Sequence, residues 1–402
     1  MKRNRCGYWL VILLLAGAVA GVAETGMDAA RLGLIRVRMQ EFVNQNRTAG
    51  TVTLIQRHGE VASLEAVGYQ DLESKTPMRP DTIFQIMSMT KPVVCVGVMM
   101  LMEEGRLSLL DPVQKYLPEF QWQLMRAKGR DERTAALVPP PRPVNIRDLM
   151  THTSGMPGHL PKSLKDLYKT FDTTLADAVR VFAEQPLDFP PGTKWQYSNT
   201  GIATLGRIIE VVSGEPFEKF IRTRIFEPLE MKDSFFFLPE DRHSRLASLY
   251  TYTGGKLVKS KADIFRTGAV YPMPAGGMYS TASDMAAFHQ MMLNGGSYGG
   301  KRILSPASVK LMTMVHTGDL RTAFSPGLGY GLGWSVVREP LGMFRLNSIG
   351  TFAKGGAFRT YGWVDPGKDL VGILMMQRTN GNGDLADELN ALMAISGSAI
   401  VK

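Results

Sequence analysis

Three short stretches of the sequence carry residue types that can transfer protons and attack a carbonyl. The first is QIMSMTKPVV, residues 85–94, where a serine and a lysine stand three residues apart in an apolar run. If a helix begins near Ser88, its hydroxyl and the Lys91 amine share one helix face. Pro92 supports that start, because a proline lacks an N–H and fits in a first helical turn.

A helix N-terminus favours this chemistry. Its backbone amides and dipole stabilise an oxyanion and lower the pKa of a nearby ammonium. Burial lowers the pKa of Lys91 further, and a neutral amine can accept the serine proton. Taken alone, the pattern also fits a capping serine and a lysine extended along the surface.

The second stretch is Tyr197-Ser198-Asn199, on a turn-rich loop before the helical pattern GIATLGRIIEVVSG. A phenol and an amide two residues apart can enter one pocket, the phenol to relay protons and the amide to bind a carbonyl. Taken alone, the stretch also fits a helix N-cap.

The third stretch is Lys354-Gly355-Gly356-Ala357, on or beside a predicted strand. Paired glycines permit a ligand to approach the strand backbone, whose N–H can donate to an oxyanion. The alternative is a β-bulge.

Both ends of the chain predict strands. Residues 51–56 and 61–69 form a hairpin around the turn HGE, after an N-terminal helix. Strand patterns near the other end precede a closing helix, DLADELNALMAI; they are YGLGWSVV, LNSIGTFAK, TYGWVDP and LVGILMMQ.

The middle of the chain has helical periodicity instead. We therefore predict an α/β (α+β) fold with an antiparallel sheet flanked by helices and built from both chain ends. Residues 24–85 and 270–402 form the sheet domain, and residues 86–269 form an inserted, mainly helical domain. Segment 121–143 has no clear period and predicts a surface loop; with 239–270 it would shape the substrate pockets.

The N-terminus has the pattern of a secretion signal. Three basic residues precede the apolar run 8–22, which closes on small residues before Glu24. We predict a signal peptide over residues 1–23, cleaved after Ala20 or Ala23, and a secreted or periplasmic protein. A retained anchor is the alternative, although the run is shorter than a typical spanning helix.

The charge, cysteine and histidine content of the chain argue against nucleic-acid binding, an intramolecular disulfide and a metal site. The 402-residue chain has a formal net charge of +9, which falls to +6 without the signal, and no basic run is typical of nucleic-acid binding. Cys6 lies in the signal, so Cys95 has no partner for an intramolecular disulfide. The six histidines form no metal-binding motif, and we expect neither metal nor cofactor.

Four other residues have simpler interpretations. Ser297 lies in a G-x-S-x-G sequence, but a predicted helix precedes it where a nucleophile elbow needs a strand, so we predict a turn. Asp284 is predicted to stabilise a helix N-terminus, and His152 to pin a loop to the core. Arg359 lies either on the solvent side of a strand or at the pocket rim.

SMTK, YSN and KGG, in this order and at these separations, resemble the motifs of the serine β-lactamase and penicillin-binding-protein superfamily. The branches that they resemble most are the class C β-lactamases and the family VIII carboxylesterases. The resemblance spans almost the whole chain after residue 23 and extends to LMTHTSGM (149–156), FPPGTKWQYSN (189–199), GGMYSTASDMAAFHQMMLNGG (276–296) and GYGLGWSV (329–336).

The resemblance implies a role for each motif. Ser88 would be the acylated nucleophile and Lys91 its base, assisted by Tyr197. The backbone amides of Ser88 and Ala357 would form the oxyanion hole, and Asn199 would orient Lys91 and the substrate.

The third motif departs from the superfamily pattern. Penicillin-recognising members usually have K-T-G, whereas Gly355 here replaces the threonine whose hydroxyl would meet a β-lactam carboxylate. Esterase members more often have an aromatic residue or histidine before two glycines. Lys354 keeps a positive charge near Tyr197 and any substrate carboxylate, so Lys354-Gly355-Gly356 is intermediate.

The implied function is that of an exported serine hydrolase acting in two steps on esters or small amides and lactams. The departure favours a carboxylesterase with slow β-lactam turnover. The alternatives are a β-lactamase, a D-alanyl peptidase, or a penicillin-binding sensor that is acylated without turnover. We expect a small-molecule partner, no nucleic acid and no stable membrane insertion after signal cleavage; the sequence determines neither the substrate nor the oligomeric state.

Overall fold

An eight-stranded antiparallel sheet joins the two ends of the chain. The computed structural model describes residues 25–127, 136–158, 172–260, 268–322, 326–339, 346–380 and 387–401, so the predicted signal peptide lies outside the described residues. The strands are β1 (Gly50–Arg57), β2 (Glu60–Asp71), β3 (Thr76–Pro77), β4 (Leu328–Tyr330), β5 (Ser335–Val337), β6 (Phe352–Gly355), β7 (Tyr361–Asp365) and β8 (Leu370–Met375).

The strand order is β4-β5-β6-β7-β8-β1-β2-β3. Strand β1 pairs with β2 on one side and with β8 on the other, with Val52 opposite Met375. This pairing joins the N-terminal hairpin to the C-terminal strands, as the sequence predicted. The fold class is confirmed.

Helices cover both faces of the sheet, which explains why every residue of β1 and β8 is buried. On one face lie α1 (Ala29–Asn44) and the C-terminal helix Asp387–Ser398. Their apolar side chains pack with Trp363 of β7. On the other face lies the helix Ala282–Leu293.

The part of the chain between the sheet halves is mainly helical. Its helices are α2 (Thr90–Glu103), α3 (Ile146–Thr151), α4 (Leu175–Ala183), α5 (Asn199–Ser213) and α6 (Phe217–Ile221). They precede α7 (Ala282–Leu293), α8 (Pro306–Thr313) and α9 (Asp387–Ser398). Helix α2 is buried from Thr90 to Leu101 and packs against α5 and α6. The domain boundaries stay a prediction.

Short strand pairs fasten the connections. They are Phe84–Gln85 with Tyr279–Ser280, Tyr250–Thr253 with Lys256–Lys259 and Arg378–Asn380, and Ser297–Tyr298 with Lys301–Arg302. Ser297 lies after α7 in a short strand of a small hairpin, next to the turn and not in it as predicted, and no strand-to-helix elbow surrounds it.

Two predictions of local structure need correction. Segment 121–143 is not wholly irregular, because Met125–Arg126 pairs with Leu137–Val138; residues 128–135 lie outside the described residues. The pattern LNSIGTFAK forms a strand only over its last part and Gly355, as β6. Before Phe352 the chain leaves the regular ladder, although Val337 at the end of β5 still donates to the Thr351 carbonyl at 2.8 Å and accepts from Gly350 N at 2.9 Å.

Within the part of the chain that the structure describes, no helix is both long and apolar enough to cross a bilayer. Cys95 is buried and unpaired.

A buried ion pair attaches α9 to the rest of the fold. Arg378 Nη1 donates to Glu388 Oε1 at 3.1 Å, and the two side chains are 1% and 2% exposed. Arg378 also donates its backbone N–H to the carbonyl of Phe358, next to Ala357.

We expect Glu388→Leu to lower the free energy of unfolding by about 3–5 kcal/mol, because it leaves a buried guanidinium without its carboxylate. Denaturant unfolding measures this loss.

The control is the double variant Glu388→Leu with Arg378→Met, which removes both charges. It should recover much of the lost stability, since an apolar pair of similar volume replaces a buried ion pair at little cost. A loss below about 1 kcal/mol for Glu388→Leu, the range of an exposed pair, would contradict this role.

Candidate active site

Ser88 lies in a single 3-10 turn, Met87–Met89, that leads directly into α2. The helix thus begins at Thr90, close to the predicted start. Met87 has φ 49°, a left-handed conformation that is costly for a residue with a Cβ and persists only where the surroundings hold it. Gly276 packs against it, since a Cβ there would lie 3.3 Å from the Met87 carbonyl carbon. The turn that presents Ser88 is therefore fixed.

Lys91 is fully buried, and its amine meets three oxygen atoms. Nζ lies 2.8 Å from Asn199 Oδ1, 2.6 Å from the Ala275 carbonyl oxygen and 3.0 Å from Ser88 Oγ. Burial holds the pKa of Lys91 well below its ordinary value, and the charge of Lys354 lowers it further. A neutral amine that donates two hydrogens to the carbonyl oxygens directs its lone pair at the Ser88 hydroxyl.

Tyr197 contacts Ser88, Lys91 and Lys354. Its hydroxyl is hydrogen-bonded to Ser88. Its ring centroid lies 4.6 Å from Lys91 Nζ and 4.7 Å from Lys354 Nζ. Burial raises the pKa of Tyr197 above its ordinary value, and the hydrogen bond to Ser88 offsets part of this rise. The phenol is therefore protonated at neutral pH and can donate.

The tyrosine motif satisfies both interpretations of its sequence. Ser198 is the N-cap of α5, and its Oγ accepts a hydrogen bond from Gly201 N at 3.0 Å. Asn199, the first residue of α5, directs its side-chain carbonyl at Lys91. The cap fixes the loop end from which Tyr197 reaches Ser88.

Lys354 is held by a residue to which the sequence analysis assigned no role. Its Nζ donates to the hydroxyl of Tyr330 at 2.7 Å, and both residues are at least 95% buried. Burial lowers the pKa of Lys354 to about 7. Tyr330 ends β4 within GYGLGWSV, where a tyrosine between two glycines was the only signal.

The paired glycines allow two segments of this chain to meet. A Cβ on Gly356 would collide with the Ile86 carbonyl oxygen and with Thr360 Oγ1, which donates to that carbonyl at 2.8 Å. The end of β6 therefore presses on the backbone two residues before Ser88. A Cβ on Gly355 would lie 2.9 Å from the ring of Tyr361.

The remaining residues of the third motif lie just beyond the strand. Ala357 is exposed and opens a turn in which Arg359 N donates to the Gly356 carbonyl at 3.1 Å. Arg359 is half-buried with φ 69°. The oxyanion-hole role of the Ser88 and Ala357 amides and the position of Arg359 at the rim stay predictions.

Asp284 and Cys95 have side chains that can take part in catalysis, but their surroundings favour structural roles. Asp284 is the third residue of α7; its N–H donates to the N-cap Thr281, and its carboxylate accepts from Ser234 at 2.8 Å. Cys95 is fully buried, and burial raises the pKa of its thiol to about 12, which disfavours the reactive thiolate. Among the described residues, no group of three His, Cys, Asp or Glu side chains is arranged to hold a metal.

Comparisons with known proteins identify the family of this chain. A family model described as Beta-lactamase matches residues 35–395. Protein Rv1367c of Mycobacterium tuberculosis (strain ATCC 25618 / H37Rv) is 32% identical over 361 residues, covering 84% of this chain and 88% of that protein. Esterase EstB of Burkholderia gladioli is 28% identical over 374 residues, covering 86% of this chain and 90% of that protein.

The solved structure of EstCE1, described as a hydrolase with promiscuous acyltransferase activity, superposes with a TM-score of 0.79 at 25% identity. The superposition covers 93% of this chain and 99% of EstCE1. A match over nearly the whole chain in both sequence and fold shows the family. The chain belongs to the Beta-lactamase family, within the superfamily of serine β-lactamases and penicillin-binding proteins.

Proposed function

We propose that this protein is a serine hydrolase that forms an acyl-enzyme on Ser88 and acts on uncharged esters. The observation that carries the proposal is the 3.0 Å contact between Lys91 Nζ and Ser88 Oγ, with carbonyl oxygens at the two other positions around the amine. The likeness to an esterase and to a hydrolase with acyltransferase activity supports the same reaction class.

In the acylation step, Ser88 Oγ attacks the ester carbonyl carbon while its proton moves to the Lys91 amine. The new ammonium keeps its bonds to Asn199 Oδ1 and the Ala275 carbonyl. Tyr197 donates its proton to the departing alcohol and recovers one from Lys91. The addition makes the carbonyl oxygen an oxyanion, which the Ser88 and Ala357 amides stabilise; its collapse re-forms the carbonyl and breaks the bond to the alcohol oxygen as Tyr197 protonates it.

In the deacylation step, water attacks the acyl carbon and gives a proton through Tyr197 to Lys91. The bond to Ser88 Oγ breaks, and the serine takes back a proton from Lys91. The product is a carboxylic acid, and the enzyme returns to its starting protonation state.

The surroundings of Lys354 support uncharged substrates. Its amine is bonded to the Tyr330 hydroxyl and packed 4.7 Å from the Tyr197 ring centroid, so its charge acts inside the site. Position 355 offers no hydroxyl, and the Tyr361 ring fills the space beside it. A substrate carboxylate would therefore lack the hydroxyl that the threonine of a K-T-G motif supplies, and the Lys354 amine is already bonded to Tyr330.

Slow β-lactam turnover is the second candidate, because the lysine of the third motif is retained. A stable, stoichiometric adduct without turnover on any ester, amide or lactam would instead favour a sensor. The proposal also includes export through segment 1–23 and the division into sheet and helical domains given above.

We expect Ser88→Ala to abolish labelling by a fluorophosphonate probe and to lower the hydrolysis of p-nitrophenyl acetate by about 10³-fold or more, as removal of a catalytic nucleophile does. Mass spectrometry of the labelled wild type locates the adduct. The matched control is Ser297→Ala, which removes the serine of the G-x-S-x-G sequence and should leave labelling intact. An adduct that survives Ser88→Ala would refute the assignment.

The pH dependence of the reaction tests the coupling of the two lysines. Lys91 accepts a proton only when neutral, so kcat/KM should fall as pH drops through its pKa. Because the charge of Lys354 lowers that pKa, Lys354→Met should shift the acidic limb of the kcat/KM profile to higher pH. The exposed Lys301→Met is the control and should leave the limb in place. A limb that stays or moves to lower pH would show that the two amines are not coupled.

Substrate charge tests the role of Lys354 directly. We expect kcat/KM to be at least about tenfold higher for p-nitrophenyl butyrate than for mono-p-nitrophenyl succinate, since the carboxylate would be desolvated with no hydroxyl at position 355 and with Lys354 bonded to Tyr330. The two esters share the same leaving group and differ little in acyl length. Equal rates would mean that Lys354 does serve as a carboxylate anchor.

A further inference from the structure

His152 is fully buried and packs against the ring of Tyr197. It ends α3 in a left-handed conformation, φ 60°, and its N–H caps the helix carbonyls. Its ring centroid lies 4.5 Å from that of Tyr197 and 5.0 Å from that of Tyr330. The histidine thus contacts the two tyrosines that hold the lysines of the site.

Two hydrogen bonds attach the residues on either side of Tyr197 to His152. Gln196 donates its backbone N–H to the His152 carbonyl at 2.9 Å. Ser198 donates its backbone N–H to His152 Nδ1 at 3.2 Å. The backbone of Tyr197 is therefore clamped on both sides by one residue, and the Cα from which the phenol extends cannot shift without straining a bond to His152.

The hydrogen bond from Ser198 also fixes the state of the ring. A backbone N–H is a donor, so Nδ1 is the acceptor and the proton of the neutral imidazole lies on Nε2. Burial, together with the charge of Lys354, lowers the pKa of His152, which agrees with a neutral ring. Within the described residues Nε2 is buried without a hydrogen-bond partner.

A ring in this state cannot act as the base, because its only lone pair is already used by a backbone amide. Its buried, unpaired Nε2–H is unfavourable, and an apolar side chain would avoid that cost. What the histidine supplies in return is the acceptor at Nδ1.

We propose that His152 is a positioning residue for the hydrolysis proposed above, which holds the Tyr197 phenol at Ser88 by clamping the backbone on both sides of this tyrosine. This inference rests on the proposed function. It assigns to the histidine of LMTHTSGM a role in the reaction that goes beyond pinning a loop.

Three variants at position 152 test the hydrogen-bond acceptor at Nδ1 separately from the aromatic ring. His152→Asn places an amide oxygen where Nδ1 lies, and asparagine tolerates the left-handed conformation. His152→Gln carries the same amide one carbon further out, away from Ser198 N. His152→Phe keeps an aromatic ring against Tyr197 but has no acceptor.

We expect kcat for p-nitrophenyl acetate to fall by about 10²-fold in His152→Gln and His152→Phe, the effect of a displaced catalytic group, with KM little changed. His152→Asn should keep kcat within about fivefold of the wild type. Rates are taken per Ser88 that a fluorophosphonate titrates after long incubation, so that unfolded protein does not count. If one of the two impaired variants fails to fold, the other provides the same comparison with His152→Asn.

Equal losses in all three variants, or activity retained in His152→Phe alone, would overturn the proposal, because the acceptor at Nδ1 would then not matter. A change in KM alone would overturn it as well. These outcomes are distinct from a failure of the proposed function, in which wild-type Ser88 takes up no probe at all.

Discussion

The amine of Lys91 is fully buried, and the rest of the site is arranged around it. Burial disfavours an ammonium in this position and holds the pKa of Lys91 well below its ordinary value, which favours a neutral amine with one lone pair to place. Asn199 and the Ala275 carbonyl accept its hydrogens, which leaves Ser88 as the third neighbour. Three segments far apart in sequence must therefore meet at one nitrogen atom, and the fold is what brings them there.

The sheet is the means by which the third motif reaches the first. Strand β6 ends beside the backbone that precedes Ser88, and only a glycine at 356 allows Ile86 and Thr360 to approach as they do. The same packing of β6 places the Lys354 amine over the Tyr197 ring and within hydrogen-bond distance of the Tyr330 hydroxyl. The charge of Lys354 lowers the pKa of Lys91, and burial lowers the pKa of both amines, so the protonation of Lys91 depends on its neighbour as well as on its own burial.

Much of this arrangement could be predicted from the sequence because its motifs carry local physics. Ser88 and Lys91 face each other at a helix start, and the spacing of three residues is enough to say so. Ser198 could be recognised as a cap and Gly356 as a point of close approach. The sequence could not predict which segment faces Gly356, because a close approach between distant segments leaves no local pattern. The structure shows that the backbone of Ile86 and the side chain of Thr360 occupy this position.

The sequence by itself determined the family, the fold class and the residue types that meet at Ser88, since periodicity and short-range spacing depend on neighbours along the chain. Only the tertiary structure decided which distant groups complete the site. Tyr330 binds Lys354 from β4, and the Ala275 carbonyl accepts from Lys91 across 184 positions. His152 holds Tyr197 from the end of α3. Hydrogen bonds of this range depend on how the elements pack, and packing is a property of the whole chain.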